Sequence, residues 1–343
     1  MLFHYSAVLL LAWLTTGAFR YYAIKRNRLD IPNHRSSHSV PTPRGGGWGI
    51  VVAFYAGLLW LYVAGVLDDR RFAALSLPVL VVAVGHADDV ASLAMRWRFA
   101  VHVLTAVLIV AVLSHLPPLW LGHPFNLVFG RFSIDLGWLG YPLAVLALVW
   151  CINLFNFMDG IDGIAASQAL FVSGSLAAYS YYLDSPLFTV AVFLAAATMG
   201  FLIWNWPPAR IFMGDVGSGF LGLLLGVLMV LAAEQAMILL YCGLILFGVF
   251  IVDASYTLLM RVATKQQWYQ AHCCHAYQRA AKRFGHRAVL LAVWAIDVFW
   301  LLPLSLLVFK QPDYACYGLI VAYVPLIVLA WFFQAGVAEP AAS

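Results

Sequence analysis

Acidic residues stand in closely spaced groups at several points of the 343-residue sequence. Asp88 and Asp89 are adjacent, at the end of an apolar stretch. Asp159 and Asp162 are separated by two residues, and Asp215 lies in the run Met-Gly-Asp-Val-Gly-Ser. Adjacent carboxylates repel each other and stay ionised together only beside a cation, such as a metal ion or a basic side chain. These groups therefore predict cation binding.

The segment 153–165 has the composition of a ligand-binding site. It interrupts an apolar run with Asn153, Asn156, Asp159, Gly160 and Asp162. Glycine lets the backbone approach a ligand closely, and Asp and Asn provide hard oxygen ligands and hydrogen-bond partners for a base or a ribose. A plain turn is the alternative interpretation, but a turn needs far fewer polar residues.

The segment 205–219 combines one cation, one carboxylate and glycine-flanked amides. Its candidate residues are Asn205, Arg210, Phe212, Gly214, Asp215 and Ser218. A helix that starts here would direct its free N–H groups and the positive end of its dipole at an anion. We therefore expect Gly217-Ser218-Gly219 to hold phosphate and Asp215 to bind Mg²⁺. A helix cap by Ser218 is the alternative.

Two basic loops, 25–47 and 261–287, accompany the acidic segments. Their candidate residues are Arg44 in the first loop and His272, His275 and Arg279 in the second. The run His-Cys-Cys-His in the second loop is a poor zinc site, because four consecutive side chains cannot easily surround one tetrahedral ion. We expect these histidines and arginines to bind anions and hydroxyl groups instead.

The elements that position these segments must lie in a membrane. Hydrophobic residues make up 64% of the chain and charged residues 10%, and a soluble domain of this length could not hide such a surface from water. A membrane-spanning helix needs about 20 predominantly apolar residues. Hydropathy predicts eleven of them, near 3–24, 46–67, 72–87, 99–116, 137–153, 164–182, 186–204, 217–233, 236–259, 288–308 and 314–335.

The basic residues predict the orientation of these helices, since Lys and Arg collect in cytoplasmic loops. One set of loops holds all 19 basic residues except Arg70, Arg71, Arg131 and Lys310. The N-terminus is therefore expected outside and the C-terminus inside. We predict a single all-α polytopic domain, 1–343, with an external β-hairpin in 125–136. Its cytoplasmic face would gather the loops 25–47, 85–98, 153–165, 205–219 and 261–287.

Taken together and in this order, the five segments resemble the bacterial polyprenyl-phosphate N-acetylhexosamine-1-phosphate transferases (glycosyltransferase family 4). The resemblance runs from about residue 30 to 287, and its specific features are Asp88-Asp89, Asn153 through Asp162, and Met213-Gly-Asp215-x-Gly-Ser218. Within the family, the run Asp-Ile-Pro-Asn-His-Arg at 30–35 and the run His-Ala-Tyr-Gln at 275–278 look like the branch that starts O-antigen or other surface polysaccharides. The peptidoglycan branch, which makes lipid I, usually carries consecutive histidines in its last loop.

The resemblance implies a reaction at the cytoplasmic side of the bacterial inner membrane. The phosphate of undecaprenyl phosphate attacks the phosphorus nearest the sugar of a UDP-N-acetylhexosamine, and UMP leaves. Asp215 becomes the principal Mg²⁺ ligand, with Mn²⁺ as an alternative metal and Asp88 as a second ligand. Asp88 also positions the lipid phosphate, with Asp89 beside it. In an older proposal for the family, one Asp is instead a covalent nucleophile.

The same resemblance assigns the remaining contacts. Uridine and ribose would meet Asn153, Asp159 and Asp162, with Asn205 and Phe212 completing the pocket. Phosphate would meet Arg98 and Arg44, and the sugar would face His272, His275 and Arg279. A homodimer is one assembly that we consider.

Three other classes fit the sequence less well. The CDP-alcohol phosphatidyltransferases have Arg after the Ala of their Asp-Gly motif, where this chain has Ala165-Ala166. An intramembrane aspartyl protease needs a second aspartate inside a span, and we expect these acidic groups in loops. A transporter of anionic substrates usually contains paired broken helices.

Overall fold

The computed structural model describes residues 2–32, 40–113, 119–121, 132–134, 136–267 and 272–338. The described chain is helical almost throughout. Its α-helices are Leu2–Lys25 (α1), Gly47–Val63 (α2), Asp69–Ser76 (α3), Val79–Ala91 (α4), Met95–Leu113 (α5), Gly140–Met158 (α6), Ile164–Tyr182 (α7), Leu187–Asn205 (α8), Asp215–Gln235 (α9), Ile238–Leu246 (α10), Gly248–Ala263 (α11), Ala276–Phe284 (α12), His286–Ile296 (α13), Leu302–Lys310 (α14) and Ala315–Phe332 (α15).

Every predicted span coincides with one helix or with two helices in sequence. Within the described residues, eight helical segments are long and apolar enough to cross a membrane, and a ninth is counted if α10 and α11, which meet at a 69° bend, form one span. The helix α2 is apolar but has only 17 residues, and α7 carries four serines and a glutamine. The chain is an all-α polytopic membrane protein, while the count of eleven spans and their orientation stay predictions.

The helix α9 is the centre of the bundle. Of its most apolar 18 residues 94% are buried, against 17% for α1. It packs against α2, α4 and α6, and glycines allow this close approach. A Cβ on Gly47 would collide with the backbone of Gly217, and one on Gly85 would lie 2.7 Å from the carbonyl oxygen of Asp215. The start of α9 is therefore held tightly by two neighbouring helices.

Short strands tie the first predicted cytoplasmic loop to the start of α9. Leu29–Asp30 (β1) and Thr42–Pro43 (β2) pair antiparallel. The amide of Phe212 donates to the Pro43 carbonyl over 2.8 Å, and the amide of Gly46 donates to the Phe212 carbonyl over 2.9 Å. The residue between these contacts, Arg44, is thereby placed next to the segment that leads into Asp215.

The predicted external hairpin is described only in part. The strand Phe132–Ile134 (β4) lies within the predicted segment 125–136 and pairs antiparallel with Leu119–Leu121 (β3), so that Trp120 is opposite Ser133. The partner strand of β4 therefore lies wholly before the predicted segment. The predicted turn at Gly130 lies outside the described residues.

Candidate active site

The start of α9 forms one wall of a cavity of about 270 Å³. Gly214 precedes the helix with a φ of 76°, a conformation that glycine adopts without strain, and Asp215 is the first helical residue. The cavity brings together ten of the residues singled out in the sequence: Arg44, Asn156, Asp159, Gly160, Asp162, Asn205, Phe212, Gly214, Asp215 and Ser218. Asp30, Gln278 and His286 line it as well.

Two arginines link the three aspartates at the edge of this cavity. Arg44 contacts Asp215 with Nη2 at 2.7 Å and Asp89 with Nε at 3.0 Å. Arg98 Nη1 lies 2.5 Å from Asp88 and 3.3 Å from Asp215. Burial works against the charge of Arg44, but its pKa is still raised because Asp89 and Asp215 stabilise the guanidinium. The aspartates that the sequence predicted to act together therefore do meet, through Arg44 and Arg98.

Asp89 occupies the N-terminus of α9. Its carboxylate accepts the amide of Asp215 at 3.2 Å and the amide of Val216 at 3.4 Å. The next two amides, of Gly217 and Ser218, both donate to the Gly214 carbonyl. The amides of Gly217 and Ser218 are therefore not free to hold a phosphate. The predicted phosphate site on Gly217-Ser218-Gly219 is wrong for these two residues. A side chain of the protein already takes the anion position at this helix end.

Ser218 does not cap the helix, as the alternative interpretation required. Its hydroxyl donates to the Gly214 carbonyl at 3.3 Å. The Asn156 amide group then lies 3.3 Å from the Ser218 oxygen and donates to Asp215 over 3.2 Å. Asn156 thus donates to the same Asp215 oxygen, Oδ1, that Arg44 contacts, whereas Arg98 contacts the other oxygen.

Asp159 has a carboxylate that faces the cavity without a hydrogen bond from any described residue. Burial raises its pKa well above the usual range, and the nearby Arg44 offsets this only in part. When Asp159 is ionised, a form that a bound cation would favour, it and the three linked aspartates give four carboxylates against the two guanidinium groups of Arg44 and Arg98. Such an excess of negative charge, with hard oxygen donors, suits a divalent cation such as Mg²⁺. Asp215 and Asp159 are the residues that would hold it. Asp88, the second ligand expected from the sequence, does not line this cavity and instead bonds to Arg98 and the Leu93 amide.

Asp162 and Asn205 join the two loops that form the far wall of the cavity. Asp162 accepts the amide of Ala209 at 3.0 Å and lies 3.3 Å from His286 Nδ1. Asn205 accepts the amide of Gly163 at 2.9 Å and donates to the Ile211 carbonyl at 3.0 Å. Both residues line the cavity, but their side-chain hydrogen bonds go to other protein groups and fix the two loops relative to each other.

Five other predicted residues lie away from the cavity. Asn153 donates to the Val149 carbonyl of its own helix at 2.8 Å. The guanidinium of Arg210 lies 6.0 Å from the centre of the Trp204 ring. Arg279 donates to Gln334 and to the Val337 carbonyl. The remaining two, His272 and His275, lie in the segment that directly precedes α12.

His275 is buried and bonds through Nδ1 to Asp253 at 3.2 Å. The same Asp253 carboxylate accepts the amides of Ala276 and Tyr277 and so caps α12. His272 stacks on His275 with ring centres 4.9 Å apart. Burial, and secondarily the neighbouring His275, lowers the pKa of His272 to about 4. His272 is therefore neutral at pH 7. Both histidines are held by contacts within the protein and lie away from the cavity, so the structure does not place them as the predicted anion binders.

The last loop reaches the cavity through residues to which the sequence analysis gave no binding role, although it used the run at 275–278 as a mark of the family branch. Gln278 and His286 line the cavity, and the Tyr277 hydroxyl donates to the Phe157 carbonyl at 2.8 Å. The expectation that the selected acidic residues sit in loops is wrong for Asp88 and Asp89, which lie in the last turns of α4, and for Asp215, the first residue of α9. Two aspartates that were not selected also lie in helical segments, Asp253 within α11 and Asp297 at the start of a π-helical turn, Asp297–Leu301. An aspartate inside an apolar run was the available signal for both.

One family model and several known proteins are similar to this chain. Residues 71–233 match the model of the family described as glycosyl transferase family 4. A Bacillus subtilis (strain 168) protein named probable undecaprenyl-phosphate N-acetylglucosaminyl 1-phosphate transferase is 30% identical over 308 residues, covering 88% of this chain and 83% of the relative. A decaprenyl-phosphate N-acetylglucosaminephosphotransferase of Mycolicibacterium smegmatis is 30% identical over 63% of this chain and 56% of the relative. A phospho-N-acetylmuramoyl-pentapeptide-transferase of Ruegeria pomeroyi is 30% identical over 75% and 77%.

Proposed function

Because the chain belongs to glycosyl transferase family 4, we propose that it transfers a sugar 1-phosphate from a UDP-N-acetylhexosamine to undecaprenyl phosphate. The products are UMP and an undecaprenyl-diphosphate-linked sugar. The observation that carries the proposal is the link of Asp88, Asp89 and Asp215 through Arg44 and Arg98, beside a cavity at the end of membrane helices. The family relationship supports polyprenyl phosphate as the acceptor class.

The charges of the site fit a pyrophosphate donor. In phosphoryl transfer, catalysis is mostly positioning and neutralisation of charge on the oxygens. Arg44 and Arg98 would contact the donor phosphates from the rim of the cavity, while Asp215 and Asp159 would hold Mg²⁺. The metal would supply neutralisation of the pyrophosphate. Both arginines already share Asp215, so each can turn from a carboxylate to a phosphate over a short distance.

The aspartate pair acts mainly by positioning. An oxygen of the lipid phosphate attacks the phosphorus nearest the sugar, the bond from that phosphorus to the bridging oxygen breaks, and the electron pair leaves with UMP. A phosphate monoester has its second pKa near ~6, so it needs no strong base to become the nucleophile. Asp88 orients Arg98, and Asp89 orients both Arg44 and the first amides of α9.

The far wall of the cavity suits the nucleotide. Phe212 offers an aromatic face on which a uracil ring can stack. The loop at 159–163 contributes backbone that passes close to Tyr277, since a Cβ on Gly160 would meet the Tyr277 hydroxyl. Asp162 and Asn205 hold these loops at a fixed separation. We place the uridine here and the sugar toward Gln278 and His286.

We assign the reaction to the cytoplasmic face of the bacterial inner membrane, as the first step of O-antigen or other surface polysaccharide synthesis. The second candidate is synthesis of peptidoglycan lipid I, since a relative named phospho-N-acetylmuramoyl-pentapeptide-transferase matches 75% of this chain. The two candidates differ in the donor sugar. They share the acceptor, the leaving group and the proposed metal.

The test is release of UMP by the purified protein with undecaprenyl phosphate and Mg²⁺. UDP-GlcNAc, UDP-FucNAc, UDP-QuiNAc and UDP-MurNAc-pentapeptide are offered in parallel. We expect one N-acetylhexosamine donor to be active, and both EDTA and the variants Asp215→Asn and Asp88→Asn to abolish release without lowering the unfolding temperature. Asp184→Asn is the control, because Asp184 is exposed in a loop, does not line the cavity, and has a φ of 48° that also suits Asn. No UMP from any of the donors would refute the assignment.

A further inference from the structure

The segment 333–337, which directly follows α15, packs against the last predicted cytoplasmic loop. The amide of Gly336 donates to the Cys274 carbonyl over 2.9 Å, and the Gly336 carbonyl accepts the side-chain amide of Gln266 at 2.8 Å. Gln266 lies shortly after α11 and Cys274 shortly before α12. One residue of the segment therefore joins both ends of the loop between these helices.

The backbone shape of this segment depends on Gly336. Its φ is 77°, a left-handed conformation that glycine adopts without strain. A Cβ at this position would lie 2.7 Å from the Thr257 carbonyl oxygen and 2.7 Å from the Cβ of Met260. Both of these residues belong to α11. A larger residue at 336 would therefore push the segment away from that helix.

Apolar contacts add to these hydrogen bonds. Ala335 is fully buried and packs with Ala276 and Ala330 in a small cluster that is separate from the main core. Tyr256 and Phe333 pack against this cluster. Since Ala276 is the first residue of α12, the segment attaches the start of that helix to the end of α15.

Arg279 makes the second attachment of α12 to the segment. Its guanidinium donates to Gln334 Oε1 at 3.3 Å and to the Val337 carbonyl. The sequence analysis expected Arg279 at the sugar, whereas in the structure these donors are directed at the protein. Arg279 therefore fixes the first turn of α12 to the segment.

The two attached residues, Ala276 and Arg279, lie on either side of Gln278 in the chain. Gln278 lines the cavity, and its Oε1 accepts the His275 amide at 3.3 Å. A Cβ on Gly160 would lie 2.8 Å from Gln278 Nε2, so the amide group of Gln278 reaches the opposite loop of the cavity wall. The attachments of α12 thereby fix where this amide group lies.

We propose that segment 333–337 positions Gln278 for recognition of the donor sugar. This inference rests on the proposed function, in which the sugar lies toward Gln278 and His286. The residues of the segment do not line the cavity and act on the donor through α12. In the proposed function, other residues hold the uridine and the pyrophosphate. Loss of the segment's contacts should therefore weaken binding of the sugar and leave binding of the nucleotide and of the lipid unchanged.

The first test is Gly336→Ala, which forces the segment away from α11. The KM for the active UDP-sugar should rise about 10-fold, which corresponds to ~1.4 kcal/mol of lost binding. The inhibition constant of UDP, which lacks the sugar, and the KM for undecaprenyl phosphate should change less than twofold. Gly65→Ala is the control, because Gly65 also has a positive φ, of 71°, but a Cβ there meets no atom within 4 Å. Equal rises for the UDP-sugar and UDP, or equal effects of the two variants, would overturn the proposal.

The second test, Arg279→Ala, is milder because it leaves the backbone contacts of Gly336 in place. The KM for the UDP-sugar should rise about 5-fold with the inhibition constant of UDP unchanged. If Arg279 acts through the segment, the double variant with Gly336→Ala should lose less than the sum of the two single losses. Additive losses would mean that Arg279 acts on the sugar independently of the segment, and would overturn the proposal.

The third test needs no turnover. Hydrogen exchange of the amides in α12 should be about 10-fold faster in Gly336→Ala than in the unmodified protein, while exchange in α9 should be unchanged. Equal exchange in α12 would overturn the proposal, because the Asp253 carboxylate, which accepts the first two amides of α12, would then be a sufficient anchor. Absence of UMP release from any donor by the unmodified protein would refute the proposed function, whereas faster exchange in α12 would still support the hold of the segment on that helix.

Discussion

Replacement of Arg44 by lysine tests whether one planar guanidinium must hold two carboxylates. Arg44 contacts Asp215 through Nη2 and Asp89 through Nε. Lysine keeps the positive charge but is a single point of charge on a flexible stem, so it cannot make this forked contact. The variant therefore removes the two-point contact with Asp89 and Asp215 and leaves the net charge of the site unchanged.

The size of the effect follows from the contact that is lost. A hydrogen bond to a charged group contributes about 1.5–3 kcal/mol when it is buried. The Arg44 side chain is 40% exposed, and solvent screening reduces such contributions. We therefore expect a loss of about 1–2 kcal/mol, which corresponds to a fall in kcat/KM of roughly 5- to 30-fold at ~1.4 kcal/mol per decade.

The assay is UMP release at saturating undecaprenyl phosphate and, separately, at a saturating concentration of the UDP-sugar. Arg71→Lys is the matched control, because Arg71 bonds to Asp68 at the other end of the α3–α4 segment. If Arg44 acts through Asp89, the double variant with Asp89→Asn should lose less than the sum of the two single losses. A fall below twofold, or additive losses in the double variant, would refute the forked contact as an organising element.

Three further predictions concern the backbone and the last loop. Gly85→Ala places a Cβ 2.7 Å from the Asp215 carbonyl oxygen, so UMP release should fall by about 10- to 100-fold, whereas Gly174→Ala, which meets no atom within 4 Å, should leave it unchanged. Asp253→Asn weakens the cap of α12 and should cost about 1–3 kcal/mol of stability; an unchanged unfolding temperature would contradict this role. Because the pKa of His272 is about 4 in the folded protein and ~6.5 in an unfolded chain, its contribution to stability should be lost as the pH falls from about 6.5 toward 4. His272→Asn should therefore show a smaller drop in unfolding temperature between pH 7 and pH 5, and an equal drop would refute the assignment.

The grouping of the acidic segments could be predicted from the sequence because it depends on chain order and hydropathy. Asp88, Asp159 and Asp215 each stand directly beside the end of an apolar stretch. Residues at the ends of packed spans converge if those ends share a face. Their convergence in the structure, with Arg44 and Arg98 between the carboxylates, follows from that rule.

The roles of single side chains could not be predicted in the same way, because they depend on rotation about each helix and on tertiary partners. Asn153 is only three residues from Asn156, yet it bonds to its own helix while Asn156 reaches Asp215. His275 was selected for its chemistry, but its partner Asp253 is 22 residues away inside an apolar helix. The residue type alone does not show whether a polar side chain stabilises the fold or binds a ligand.

The contrast between α9 and α1 has a consequence for how the bilayer acts on the protein. A change in membrane thickness tilts or shifts the helices that touch lipid. Asp215 lies on α9, which is enclosed by protein along its length. Phe19 and Tyr22 lie on α1, most of whose surface is not covered by other parts of the protein. Thinner or thicker membranes should therefore shift Phe19 and Tyr22 while the carboxylate at the head of α9 stays in place. In vesicles of graded acyl-chain length, the KM for the nucleotide sugar should then stay constant.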